Sequence, residues 1–431
     1  MQNNRREIIK KEVVDLGEYI FKNPELGYKE FNTSKVICEK LQKYNIEYTD
    51  GLAITGIKAT LDTGKEGPNI ALLCELDSVP NKNHQYLGKD DYCAHNCGHY
   101  AQVGVMLGTF LELKELDYIK DFAGKITFIA TPAEEYCDFE YREELIKQNK
   151  IKYIVGKQEM IHQGLFDDID LVLSVHSRIK DQYIAELEST LNGFISKKIT
   201  YKGVSSHAGV QPHEGINALS AANVALNAIG YLRETFREED AVRVHYMITN
   251  GGTSANVIPD NVEIEMYVRA KTLDAIQIVN NKIDNALKAG ALAIGCSVEI
   301  ENRGGNLPLE QDKTTNDLVR RNILKFIDED QIISNVHSFA SADSGDLSQI
   351  VPLIQIGIAG FEGKFHGDDF RTYDTSLAYD FPIDYLIETV KDLMSNNAYE
   401  ARKILKNQKT RITKEEYLQI LNSINDKITF N

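Results

Sequence analysis

Three short apolar runs, NIALLCEL (69–76), KITFIAT (125–131) and DLVLSVHS (170–177), each stop at side chains able to do chemistry. A near-continuous apolar run of this length marks a strand covered on both faces, as in a parallel sheet flanked by helices. Residues 98–116 carry apolar side chains at helical spacing between the first two runs. The runs end on Glu75 and Asp77, on Glu134 and Glu135, and on His176. In open α/β sheets, sites form beyond the carboxyl ends of the strands. The pattern therefore predicts an α/β fold with a mixed, mostly parallel sheet, helices on its faces, and a site at the carboxyl ends of its strands.

Residues from about 188 to 303 follow a different rule. KKITYKG, VRVHYMIT, VEIEMYVRA and CSVEIEN alternate as half-buried strands do, and 216–232 and 273–291 read as helices. The order βαββαβ predicts a ferredoxin-like α+β insertion, a sheet whose edge can pair with a second copy. Helix and strand signals then resume in TNDLVRRNILKFI and VPLIQIGIAG, and the tail after Phe381 is charged and helical. The expected domains are a catalytic domain of 1–187 and 305–431 and an inserted dimerisation or lid domain of 188–304. A chain of 431 residues is long enough for two cores.

The net charge of −16 opposes nucleic acid and anionic lipid as partners. No run is long or apolar enough for a membrane span, and the N-terminal MQNNRREIIKKEVVDLGEYIF mixes charge into a helical pattern, unlike a signal peptide. Six scattered cysteines in a chain this size read as reduced thiols. A cytoplasmic protein is expected.

Several strings carry candidate chemistry. In His95-Asn96-Cys97-Gly98-His99, the thiol and imidazole suit zinc or a manganese-like ion, although a buried thiol beside a helix-capping histidine has the same letters. Adjacent Glu134 and Glu135 repel unless a cation lies between them or one holds a proton; an exposed acidic loop is the plainer alternative. His176 and His366 are each unremarkable alone. Together Cys97, His99, Glu135, His176 and His366 make five donors, three per ion if the thiolate is shared, leaving positions open for water. In the insertion, His207 suits an oxyanion stabiliser or a turn, Asn256 is an amide in a turn-rich string, and Arg269 could grip a carboxylate or simply lie on an edge strand.

The strings CELDSVP, HNCGH, TPAEE, GLFDDIDLVLSVHS, GVSSHAGVQPHEGINAL, GGTSANVIPD, EMYVRA and SADSGDLSQIVP occur in that order from about 70 to 370. Taken together they resemble the aminoacylase and carboxypeptidase superfamily of dinuclear metallohydrolases, which includes acetylornithine deacetylase and succinyl-diaminopimelate desuccinylase. The resemblance is nearest to the amidohydrolase branch with aminobenzoyl-glutamate hydrolase and related dipeptidases. It implies a metal-dependent amidohydrolase acting on an N-acyl amino acid, an aminobenzoyl-glutamate-like amide or a dipeptide. Cys97, His99, Glu135, His176 and His366 would hold two divalent ions, manganese or zinc. Glu134 would be the general base toward a metal-activated water, and Asp77 would orient a ligand from behind. His207 would serve the partner's site in a homodimer, and Asn256 and Arg269 would bind the substrate carboxylate.

The resemblance departs at Tyr100, where the family carries Asp or Asn, and in the long polar stretch between Pro80 and Cys93; both bear on substrate choice. His366 stands in a loose version of its string. Two other readings share these residues: a deaminase-like hydrolase of an arylamine, and a non-catalytic ligand-binding subunit of a paralogous hydrolase. Intact Glu134 and the full donor set argue against the second.

Overall fold

In the computed structural model, which describes residues 2–88, 92–408 and 411–431, the chain forms two compact units. The first contains 1–189, 310–336 and 346–411, and the second 190–309, 337–345 and 412–431.

The first unit is built on a nine-stranded sheet among the described residues. Its four central strands, in the order Lys125–Thr131, Asn69–Glu75, Leu171–Ile179 and Leu353–Glu362, run parallel. Gly56–Asp62 and Tyr48–Leu52 add antiparallel on one side, and Ala185–Leu187 joins antiparallel on the other. Every residue of Asn69–Glu75 is buried, as its unbroken apolar run requires. The helix His99–Glu115 is buried from His99 to Leu113. Its apolar residues lie on all sides, which suits a covered helix, with Gln102, Thr109 and Glu112 buried among them. Gly104 lets it approach its neighbour: a Cβ there would lie 2.6 Å from the Tyr379 ring. The N-terminal helix Gln2–Lys22 buries Ile9, Val13, Leu16 and Ile20, which recur at helical spacing, against this core.

The second unit has the expected βαββαβ order: Gly193–Lys202, helix Ala218–Leu232, Arg243–Asn250, Asn261–Ala270, helix Leu273–Ile294 and Ser297–Asn302. The sheet order places Arg243–Asn250 at one edge and the central Gly193–Lys202 between Asn261–Ala270 and Ser297–Asn302. A fifth strand, Lys427–Phe430, pairs antiparallel with Ser297–Asn302. The sequence pattern assigns this tail to the catalytic domain and reads as helical. Helix Lys414–Ile424 is present, but the tail packs with the second unit. Ile428 and Phe430 lie against that unit's core, and buried Lys197 bonds Asp284 and Asn302 at 2.6 Å while Asn302 bonds Asp426 at 2.6 Å. Alternation over four residues is too short a signal to read beside eleven helical ones. No helix among the described residues is long and apolar enough to cross a membrane.

Candidate functional site

The carboxyl ends of the parallel strands in the first unit carry the chemistry. Asn69–Glu75 delivers Glu75 and, two residues on, Asp77; Lys125–Thr131 leads into Glu134 and Glu135; Leu171–Ile179 carries His176. Gly98 separates Cys97 from His99 with φ of +95°, and a Cβ there would lie 2.5 Å from the Cβ of Ser177. Only glycine meets both demands, so the turn that opens the helix can lie against the strand bearing His176.

These elements gather the predicted donors. One donor atom from each of Cys97, His99 and His176 lies within 4.8 Å of the others, and the same holds for Cys97, Glu135 and His366, and for His99, Glu134 and Glu135. Cys97 Sγ stands 3.6 Å from His176 Nε2, and His366 Nε2 stands 3.4 Å from Glu135 Oε1. Asp77 braces the group: its carbonyl accepts from His99 Nδ1 at 2.8 Å and its Oδ2 accepts from the Glu135 amide at 2.9 Å. His366 is exposed and has a φ of +59°, unusual for a residue with a Cβ. Its loop is pinned from two directions. The His366 amide donates to the Asn96 carbonyl at 2.9 Å, and Asn81 Nδ2 donates to Asp368 at 3.0 Å. Asn81 opens the long polar stretch after Pro80, so that stretch supports the His366 loop; its residues 89–91 lie outside the described residues.

The electrostatics are those of a site short of positive charge. Burial pushes the Cys97 thiol up, and Glu135 adds to it. Burial lowers His176. Burial also works against a charged His99, yet the hydrogen bond to Asp77 and the charges of Cys97 and Glu75 raise it well above its ordinary value. Glu75 Oε2, Asp77 Oδ1, His99 Nε2 and Glu135 Oε1 are buried and make no hydrogen bond among the described residues. Buried polar atoms without partners are rare, and two of these, on His99 and Glu135, belong to residues of the donor groups just described. Sulfur, nitrogen and oxygen donors together match borderline divalent metals.

The remaining predicted residues lie in the second unit. The His207 ring is exposed; its Nδ1 accepts the amides of Gly209 and Val210 at 3.1 Å, which leaves Nε2 as the outward nitrogen. The Asn256 carbonyl accepts from the Ala208 amide at 2.9 Å, so the His207 and Asn256 strings lie side by side. Arg269, near the end of Asn261–Ala270, donates to Ser341 Oγ at 3.0 Å and to the Phe339 carbonyl at 3.4 Å.

Residues 189–294 match the peptidase dimerisation domain of the M20 family. The Xaa-Arg dipeptidase of Mus musculus is 30% identical over 294 residues, 67% of this chain and 60% of that protein. The chain therefore spans less than two thirds of that relative's length. The N-acetyl-L-cysteine deacetylase of Bacillus subtilis is 26% identical over 403 residues, 90% of each chain. The chain is similar to M20 peptidases, and it carries their dimerisation domain over 189–294. A Bacillus subtilis structure described as a dinuclear metal binding peptidase from the M20 family shares the fold with a TM-score of 0.69 at 19% identity, over 90% of this chain and 99% of that one.

Tyr100, one residue past His99, has a packing role. Its ring is fully buried, 4.7 Å from that of Phe21, and its hydroxyl meets Thr372 Oγ1 at 2.7 Å. Burial raises it, so it stays a neutral phenol. Sequence reasoning missed Lys157 and Gln102. Lys157 is fully buried on helix Gly156–His162 and bonds Glu75 Oε1 at 2.6 Å. Glu75 Oε2 in turn lies 3.3 Å from His99 Nε2. Gln102, one helical turn beyond His99, bonds the Glu75 amide at 2.7 Å and the Val175 carbonyl at 2.6 Å. A lysine or glutamine in a helical string reads as solvated surface, and no spacing rule marks these two as interior.

Proposed function

We propose that this chain is a metal-dependent amidohydrolase that cleaves an amide bond next to a free carboxylate, in an N-acyl amino acid, an aminobenzoyl-glutamate-like amide or a dipeptide. The observation that carries the reading is the convergence of Cys97, His99, Glu135, His176 and His366 within bonding reach of one another, with Glu134 beside them. Two divalent ions in that donor set, manganese or zinc, would supply Lewis acidity for a carbonyl and a water acidified enough to lose a proton near neutral pH.

The protein's own groups do the rest. Glu134 takes the proton of the attacking water and passes it to the departing amine nitrogen, which needs a carboxylate free to alternate between base and acid. Asp77 fixes the tautomer and tilt of His99 through Nδ1. From the second unit, Arg269 and Asn256 hold the substrate carboxylate, and His207 offers Nε2 to the developing oxyanion. We assign the first unit to catalysis and the second to dimerisation and closure, with His207 acting in the partner's site of a homodimer. The reduced Cys97 that this scheme needs suits a compartment such as the cytoplasm.

The test is a panel of N-acyl amino acids and dipeptides, each with its free acid and its carboxamide, assayed with manganese and with zinc. Turnover of free acids and not of carboxamides is expected. A metal-replete protein that hydrolyses none of the amides would sink the reading.

A further inference from the structure

Arg243 and Arg269 are direct cross-strand partners in the antiparallel pair of Arg243–Asn250 with Asn261–Ala270. Residues directly opposed on an antiparallel pair share one face, and like charges in that position repel. Carboxylates usually offset such a pair. Here Arg243 donates to the Val242 carbonyl at 2.9 Å, and Arg269 donates to the Phe339 carbonyl and Ser341. Neither has a carboxylate within ion-pair distance among the described residues. Arg233, which donates to the Val244 carbonyl at 3.3 Å, has none either. Three guanidinium groups without counter-charges are out of keeping with a chain of net charge −16.

The rings beside them hold the guanidinium planes in place. Arg243 lies 3.9 Å over the Phe339 ring, and Arg269 lies 5.1 Å over Phe194 and 5.6 Å over Tyr267. Stacking fixes the plane of a guanidinium and leaves its edge free to donate. Phe339 thus takes Arg243 on its ring and Arg269 on its carbonyl. A cavity of about 550 Å³ opens on this group, lined by Arg233, Phe236, Arg237, Arg243 and Phe339, with Glu238 its one acidic wall. Arg237 is already paired, 3.5 Å from Glu239.

We propose that Arg243, with Arg233 behind it, is a second anion subsite beside Arg269, and that the preferred substrates are amides of dicarboxylic amino acids. The proposal rests on the function above, in which Arg269 takes the carboxylate next to the scissile amide. The side-chain carboxylate then meets Arg243, and two fork-shaped donors read two planar acids. The same charges repel an arginine side chain, so the specificity departs from the one named for the mouse relative.

The experiment compares kcat/KM for N-acetylglutamate with that for N-acetylglutamine, which has the same shape without the second charge. The expected ratio is about 10 to 100, the range of one charge-assisted hydrogen bond. Arg243→Met should bring the ratio to near one, Arg243→Lys should keep part of it, and Arg321→Met, a charge loss at an exposed position of helix Lys313–Ile323 in the first unit, should keep all of it. A wild-type ratio near one, or an unchanged ratio in folded Arg243→Met, overturns the proposal. If no amide is hydrolysed at all, the amidohydrolase reading has failed, and calorimetry with L-glutamate and L-glutamine still tests the subsite. Glutamate should bind at least about 10-fold more tightly and lose that margin in Arg243→Met. Equal binding of the two, or inorganic phosphate binding as well as glutamate, overturns it.

Discussion

Replacing Gly98 by alanine tests whether the turn between Cys97 and His99 sets the metal centre. The left-handed φ of +95° disfavours any residue with a Cβ by about 1–2 kcal/mol. The new methyl would also lie 2.5 Å from both the Cβ and the Oγ of Ser177, so one chain must shift. Either shift reaches the donors, because Ser177 Oγ donates to the Cys97 carbonyl at 2.6 Å and Ser177 follows His176. Disturbing the support of a metal ligand typically weakens metal binding about 10- to 100-fold. Gly295→Ala separates the two effects. Gly295 has a φ of +84°, but nothing lies within 4 Å of its added methyl. It should lose about 1–2 kcal/mol of stability and no metal affinity. The assays are thermal unfolding and competition with a chelator for zinc or manganese, both on the full chain. Gly98→Ala with wild-type metal affinity, or Gly295→Ala with an equal loss of affinity, would refute the argument that close contact with Ser177 holds Cys97 and His176 in register.

Three further outcomes follow from the site. Glu134→Gln keeps the shape but removes the proton acceptor, so turnover should fall about 100-fold or more while elemental analysis finds the metal retained; near-normal turnover would exclude the role. Reconstituted protein should carry about two divalent ions per chain, and Cys97→Ala should lose at least one; active enzyme without stoichiometric metal would be incompatible with the centre. Mixing inactive His207→Ala chains with inactive Glu134→Gln chains should restore partial activity on subunit exchange, since one site of a mixed dimer then joins an intact Glu134 to an intact His207. Exchange proven by mass without recovered activity would show that His207 does not act in the partner's site.

The strands that carry the centre were readable because burial on both faces demands a near-continuous apolar run: 70–74 is wholly apolar and 126–130 is broken only by Thr127. Glu134, Glu135 and His176 were readable as reactive side chains where those runs stop, and Cys97 and His99 as donors two residues apart at the start of a helical pattern. The βαββαβ order of the second unit was legible because periods of two and of 3.6 differ over eight or more residues. Other features depend on distances across the chain, which no local pattern encodes. The strand Lys427–Phe430 is defined by the partner it pairs with. Tyr100, one residue past a donor, turns into the core because consecutive helical positions face different sides. Lys157 is interior because Glu75, 82 residues away in sequence, supplies a counter-charge. Arg243 faces Arg269 through the register of two strands joined by a long turn, and register is a property of the pair. The amino-acid order by itself determined which segments must be buried and which reactive groups end them, since burial is a local demand on composition. Only the tertiary structure decided which of those groups meet, because hydrogen bonds and charges act over a few ångströms in space whatever their separation along the chain.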